Sequence, residues 1–115
     1  MVFPIIVQGE ASLQYVFPTK QKAVQSAIDI ARADRRIRRL ILFGSAITLN
    51  CGIRSDIELA IDAPGLNEQD FATMAHTFYI QIDSEMDLVH YNSIHSQLLR
   101  SEIDQKGVCV YDRGN

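Results

Sequence analysis

The chain has 115 residues, a hydrophobic fraction of 47% and a formal net charge of −3. This length predicts a single domain over residues 1–115, with enough apolar material for a core that needs no disulfide or structural metal. The net negative charge argues against a surface that coats nucleic acid, and no apolar run approaches the roughly 18 residues of a transmembrane helix.

Cys51 and Cys109 lack metal-ligand spacing, so they are expected to be reduced thiols of a cytoplasmic protein. The opening MVFPIIVQGEAS has no basic stretch and an early Pro4, and does not read as a signal peptide. Residues 1–17 are expected to form an irregular arm or an edge strand. Thr19 is expected to cap a helix over residues 19–34, because Val24, Ala27, Ile28 and Ala31 recur at helical spacing. Residues 38–43, RRLILF, then read as a strand covered on both faces. A short helix is expected over 45–51, ended near Gly52.

Residues 55–61, SDIELAI, predict a second strand with Ile57, Leu59 and Ile61 on one face and Asp56 and Glu58 on the other. Pro64-Gly65 turn the chain. Asn67 should cap a helix through about Tyr79, with Phe71, Met74, Ala75 and Phe78 facing inward. Residues 85–90, EMDLVH, predict a third strand. Residues 93–105 predict a last helix ended by Gly107, and VCVY predicts a final strand. Helices alternating with strands imply an α/β or α+β domain with a small mixed sheet.

The stretch with the most chemistry in it runs from Leu40 to Asp62. A turn at Gly44-Ser45, between a strand and a helix, aims backbone N–H groups and the positive end of the helix dipole at a phosphate. Gly44 lets the backbone approach closely, and the Ser45 hydroxyl can hydrogen-bond a phosphate oxygen. Taken alone, a Gly-Ser pair is more often an ordinary turn. Ten residues further on, Asp56 and Glu58 stand two apart and present their oxygens on one side of a strand. Such a pair can hold Mg²⁺, which prefers hard oxygen ligands and keeps waters that a substrate replaces. Two ions about 3.5–4 Å apart need a third carboxylate. Asp87, within the apolar Met86-Asp87-Leu88-Val89, is the candidate, since an acid in such a run is costly without a partner or a task.

Gly44-Ser45, a ten-residue spacer and Asp56-Ile57-Glu58, flanked by Phe43 and Leu59, resemble the signature of the nucleotidyltransferase superfamily with the DNA polymerase β-type fold. The later Met86-Asp87-Leu88 matches its third carboxylate, and the resemblance spans about residues 22–110. With no further domain in view, the chain is similar to minimal nucleotidyltransferase domains, including antitoxins paired with HEPN-domain ribonuclease toxins. The resemblance implies a polymerase β palm-like fold and an ATP-binding transferase moving AMP to a hydroxyl, such as a toxin tyrosine. It implies Asp56, Glu58 and Asp87 as catalytic ligands of two Mg²⁺ ions, and Gly44, Ser45 and Arg54 as the nucleotide-binding residues. Ala46 and Leu49 depart from the GSRARG form of the motif, which removes one phosphate contact. Two alternatives stand beside this reading. One is a weak or inactive nucleotidyltransferase-like module that acts by binding a partner protein. The other is an enzyme acting on a small molecule or tRNA. A toxin partner or a homodimer is compatible with so small a domain, and a membrane partner is not expected.

Arg32, Arg35, Arg36, Arg38 and Arg39 crowd the end of the first helix, where cations are favourable, or offer a patch to an acidic partner or RNA. His76, His90 and His95 share no metal-ligand spacing. Tyr79, Tyr91 and Tyr111 read as packing residues.

Overall fold

The computed structural model describes residues 18–44 and 57–114. The expected arm over 1–17, the short helix over 45–51, Gly52, Cys51 and the first two residues of the second strand lie outside the described residues. Helix α1 runs Pro18–Ala33. Pro18 itself opens it, so Thr19 falls within the first turn. Proline suits that position because its φ is already helical and its missing N–H would have had no helical partner.

Four strands follow: β1 Arg39–Phe43, β2 Ile57–Asp62, β3 Met86–His90 and β4 Val108–Asp112. They form one sheet in the order β3-β2-β1-β4. β1 is antiparallel to β2 and β4, while β2 and β3 are parallel and joined through helix α2, Glu68–Gln81. Asn67 caps α2 as expected, its side-chain oxygen accepting from the Asp70 N–H at 2.8 Å. Helix α3, Gln97–Lys106, is shorter than the sequence suggests. A 3₁₀ turn over Tyr91–Ser93 precedes it, and Ser96 rather than Ser93 is the cap. The Ser93 hydroxyl is engaged with His90 Nδ1 at 3.0 Å, and Ser96 Oγ accepts from Leu99 N–H at 3.2 Å.

Both sheet faces are covered. Leu40, Leu42, Ile57, Leu59 and Ile61 pack against Val24, Ala27, Ile28 and Ala31 of α1 and Met74 and Phe78 of α2. Ile41, Phe43 and Ala60 pack against Ile103 of α3 and Tyr91. Each large aliphatic side chain buried this way contributes about 1.5–3 kcal/mol relative to exposure. Gly107 ends α3 as expected, but for room rather than for backbone freedom. Its φ is −68°, and a Cβ there would strike the Ile103 carbonyl and come within 2.6 Å of Ile41 Cγ2.

Candidate active site

At one end of the sheet β1 finishes at Phe43 and Gly44, while β2 and β3 begin. Glu58 is the Cα partner of Phe43 on one side and of Asp87 on the other. Partners in a ladder point to the same face. That face is α3's, because Ala60 and Val89, two residues on along each strand, join the Ile103 cluster. The fold therefore brings together two carboxylates separated by 29 positions. Glu58 is half-buried and Asp87 is exposed. Gly44 has φ +79°, a conformation natural to glycine, and its backbone lies directly against the Glu58 side chain. Ser45, Ala46, Leu49, Arg54 and Asp56 lie outside the described residues. Among the described residues no three His, Cys, Asp or Glu side chains form a metal-binding group. Adjacent carboxylates on one face, Asp87 exposed and Glu58 half-buried, are nevertheless a donor set suited to a hard cation.

The other end of the sheet holds what the sequence reading missed. Asp62, the last residue of β2, is 2% exposed. Its two oxygens accept from Arg39 Nε at 2.7 Å and Asn92 Nδ2 at 2.8 Å, and the Asn92 carbonyl accepts from Ala63 N–H at 2.8 Å. A buried carboxylate survives only with such partners. The signal was an acid ending an apolar run, with an arginine opening the strand that pairs with it.

The arginine-rich turn is largely structural. Arg36 forms a two-point pair with Asp34, at 3.0 and 2.8 Å, and that hydrogen-bonded guanidinium pulls the Asp34 carboxyl below its ordinary range. Arg113 donates to the carbonyls of Ala31, Asp34 and Ile37 at 2.8, 3.0 and 3.1 Å, capping the end of α1. Arg35 and Arg38 stay exposed.

His90 is buried at this same end, stacked on Phe71 with centroids 4.5 Å apart. Its Nε2 donates to the Ala63 carbonyl at 2.9 Å, and the Ser93 hydroxyl then donates to Nδ1. It faces away from Asp87. Tyr91 is sandwiched near Arg100 and Arg39, its hydroxyl donating to Asp104 at 2.7 Å; Tyr111 is buried and Tyr79 about half exposed. Burial pushes the Cys109 thiol up, so it stays protonated and a poor nucleophile at neutral pH. A groove of about 610 Å³ between α1 and α2 lies on the sheet face opposite the carboxylates. Its acids Asp29 and Asp34 are engaged with Arg32 and Arg36.

The mixed four-stranded sheet thus sets Glu58 against Gly44 and beside Asp87. The chain belongs to the family described as polymerase beta, nucleotidyltransferase, whose model matches residues 25–115. Three crystal structures contain chains of similar fold. One is of the toxin–antitoxin MntA–HepT, with a TM-score of 0.61, 23% identity and coverage of 80% of this chain and 72% of that one. One is of the toxin–antitoxin with AMP-PNP, with a TM-score of 0.65, 24% identity and coverage of 78% and 73%. The third is of a mutant toxin–antitoxin pair, with a TM-score of 0.62, 24% identity and the same coverage of 78% and 73%. Comparison with curated proteins gives no match. No helix among the described residues is long and apolar enough to cross a membrane.

Proposed function

We propose that this protein is a Mg²⁺-dependent nucleotidyltransferase that moves AMP from ATP to a hydroxyl of a partner protein, a tyrosine of a HEPN-type toxin. The observation that carries this is the placement of Glu58 beside Asp87 at the mouth of the Gly44 turn, on a fold of this family. The toxin–antitoxin and AMP-PNP structures of similar fold support the choice of partner class and of nucleotide.

In this reading the Gly44-Ser45 turn offers backbone N–H groups to the triphosphate, and the Ser45 hydroxyl donates to a phosphate oxygen. Arg54 adds positive charge beside it. Asp56, Glu58 and Asp87 would hold two Mg²⁺ ions, which when bound would supply charge neutralisation on the triphosphate and lower the pKa of the acceptor hydroxyl. Asp87, the more exposed carboxylate, takes the proton as the hydroxyl oxygen attacks the α-phosphorus in line. A new oxygen–phosphorus bond forms, the α–β bridge breaks, and pyrophosphate carries away the electron pair. The protein's contribution is positioning and preorganised charge.

The test is label transfer: protein, Mg²⁺ and each α-³²P-labelled NTP incubated with a lysate of the source cells, beside Asp56→Ala. A protein labelled from ATP only by the unmutated chain supports the proposal. A labelled tRNA or small molecule moves the acceptor elsewhere. No label and no Mg²⁺-dependent nucleotide binding favours a partner-binding module without transfer.

A further inference from the structure

Gly44 touches a carboxylate. A Cβ built on it would collide with Glu58 Oε2, lie 2.7 Å from Cδ and reach Cγ at 3.4 Å. Contacts below about 3.0 Å do not occur for real Cβ atoms, so any side chain at 44 displaces the Glu58 carboxyl group. The contact follows from the ladder: Glu58 pairs with Phe43, so its side chain runs alongside the next residue of β1's exit. The positive φ of Gly44 turns the backbone there, leaving the hydrogen where a side chain would stand.

We infer that Gly44 is a positioning residue for Glu58: the missing side chain at 44 is the seat that holds the longer glutamate carboxylate in place at the metal-binding end of the sheet. This rests on the reading of Glu58 as a metal ligand and assigns Gly44 a task separate from contacting phosphate. The collision involves Oε2 and Cδ, the atoms by which glutamate exceeds aspartate in reach. In Glu58→Asp the carboxyl carbon falls back to the Cγ position, 3.4 Å from that Cβ and within ordinary contact, so a side chain at 44 should displace it less. The glycine and the glutamate are therefore coupled choices. Displacing the far end of a flexible side chain costs little folding energy, so the effect falls on where the carboxylate sits rather than on whether the chain folds.

The experiment is a double-mutant cycle read by metal binding. Mn²⁺ is titrated into the full chain, free Mn²⁺ being followed by electron paramagnetic resonance, for the unmutated protein, Gly44→Asn, Glu58→Asp and the double variant. Asparagine is chosen because it accepts positive φ at small cost yet carries a Cβ; Gly44→Ala serves as a second variant. With Glu58 in place, Gly44→Asn is expected to lose about tenfold or more in Mn²⁺ affinity. In the Glu58→Asp background the same change should cost under about threefold, a non-additivity typical of side chains in contact. Equal losses in both backgrounds would overturn the inference, since backbone strain alone acts equally on both.

A metal-free readout separates this from failure of the metal assignment. In protein labelled with ¹³C-glutamate, the Glu58 carboxyl resonance should move in Gly44→Asn while those of Glu68 and Glu102 stay. A moving resonance with no Mn²⁺ binding by any variant keeps the steric seat but removes its metal-positioning role. A stationary resonance overturns the seat itself.

Discussion

The two ends of the sheet handle charge in opposite ways. Where β1 begins, the buried charge is answered: Asp62 meets Arg39 and Asn92, and Arg113 collects the last carbonyls of α1. Where β1 finishes, the cross-strand neighbour of Glu58 is another carboxylate, Asp87. Like charges directly across a ladder destabilise a sheet, whereas opposite charges help hold it. One end is thus a structural clamp, and the other sets two carboxylates side by side on one face. The same strand serves both, so changes at its two ends should separate stability from activity.

The sharpest break is at the carboxylate end. Asp87→Ala should lower nucleotidyl transfer by about a thousandfold or more, the scale of losing a group that acts in the transition state. It should leave the urea midpoint nearly unchanged, because Asp87 is exposed. Nucleotide binding should largely persist. Full transfer by this variant, in the labelling assay above, would end the assignment of Asp87.

The opposite pattern is expected at the clamp. Asp62→Ala leaves Arg39 and Asn92 without their shared acceptor. Breaking a buried ion pair costs about 3–5 kcal/mol, and the one-third exposure of the Arg39 side chain brings this to roughly 2–4 kcal/mol. Transfer per folded molecule should be unaffected. Arg113→Ala should cost less, about 1–2 kcal/mol, since these carbonyls are only partly buried and water can replace part of what the charged donor gives. Urea titration measures both. A loss of transfer at full stability in either variant would mean that the two ends are coupled.

Much of this arrangement was legible in the sequence. The apolar alternation in Ile57, Leu59 and Ile61 gave the buried face of β2, and Val24, Ala27, Ile28 and Ala31 gave that of α1, because periodicity reports directly on burial. Glu58 stood out as a candidate through its spacing from Gly44-Ser45, and Asp87 through the apolar run around it. The register that makes them neighbours was not legible, since it depends on how α2 returns the chain to the sheet. The start of α3 falls four residues after Ser93, because Tyr91–Ser93 form a 3₁₀ turn in which the Ser93 hydroxyl is engaged with His90. Asp62 and Arg113 escaped notice for a similar reason. Their partners are contributed by segments 23 to 82 residues away, so a local pattern can flag the acid at the end of β2 but not the residues that meet it.

The smallest effect concerns acid. Asp34 is held below its usual value of 3.8 chiefly by its hydrogen bonds from Arg36. A carboxyl whose folded pKa lies below its unfolded one binds fewer protons when folded, so it stabilises the fold above the unfolded value. That stabilisation is lost as pH falls through the folded pKa. Arg36 is about half exposed, so solvent screens the pair and its whole contribution should be under about 1 kcal/mol. Arg36→Gln removes the largest cause of the shift, the guanidinium, and leaves the backbone N–H bond from residue 36 in place. Unfolding free energies of the two proteins, measured by urea from pH 7 to pH 2, should differ by a constant amount down to about pH 5. The gap should then close through the range below 3.8 and vanish at the acid end. Added salt should narrow it at every pH, because an exposed pair is screened where the buried Asp62–Arg39 contact is not. A gap that stays open below the folded pKa would show that Arg36 stabilises the turn through its packing rather than through Asp34.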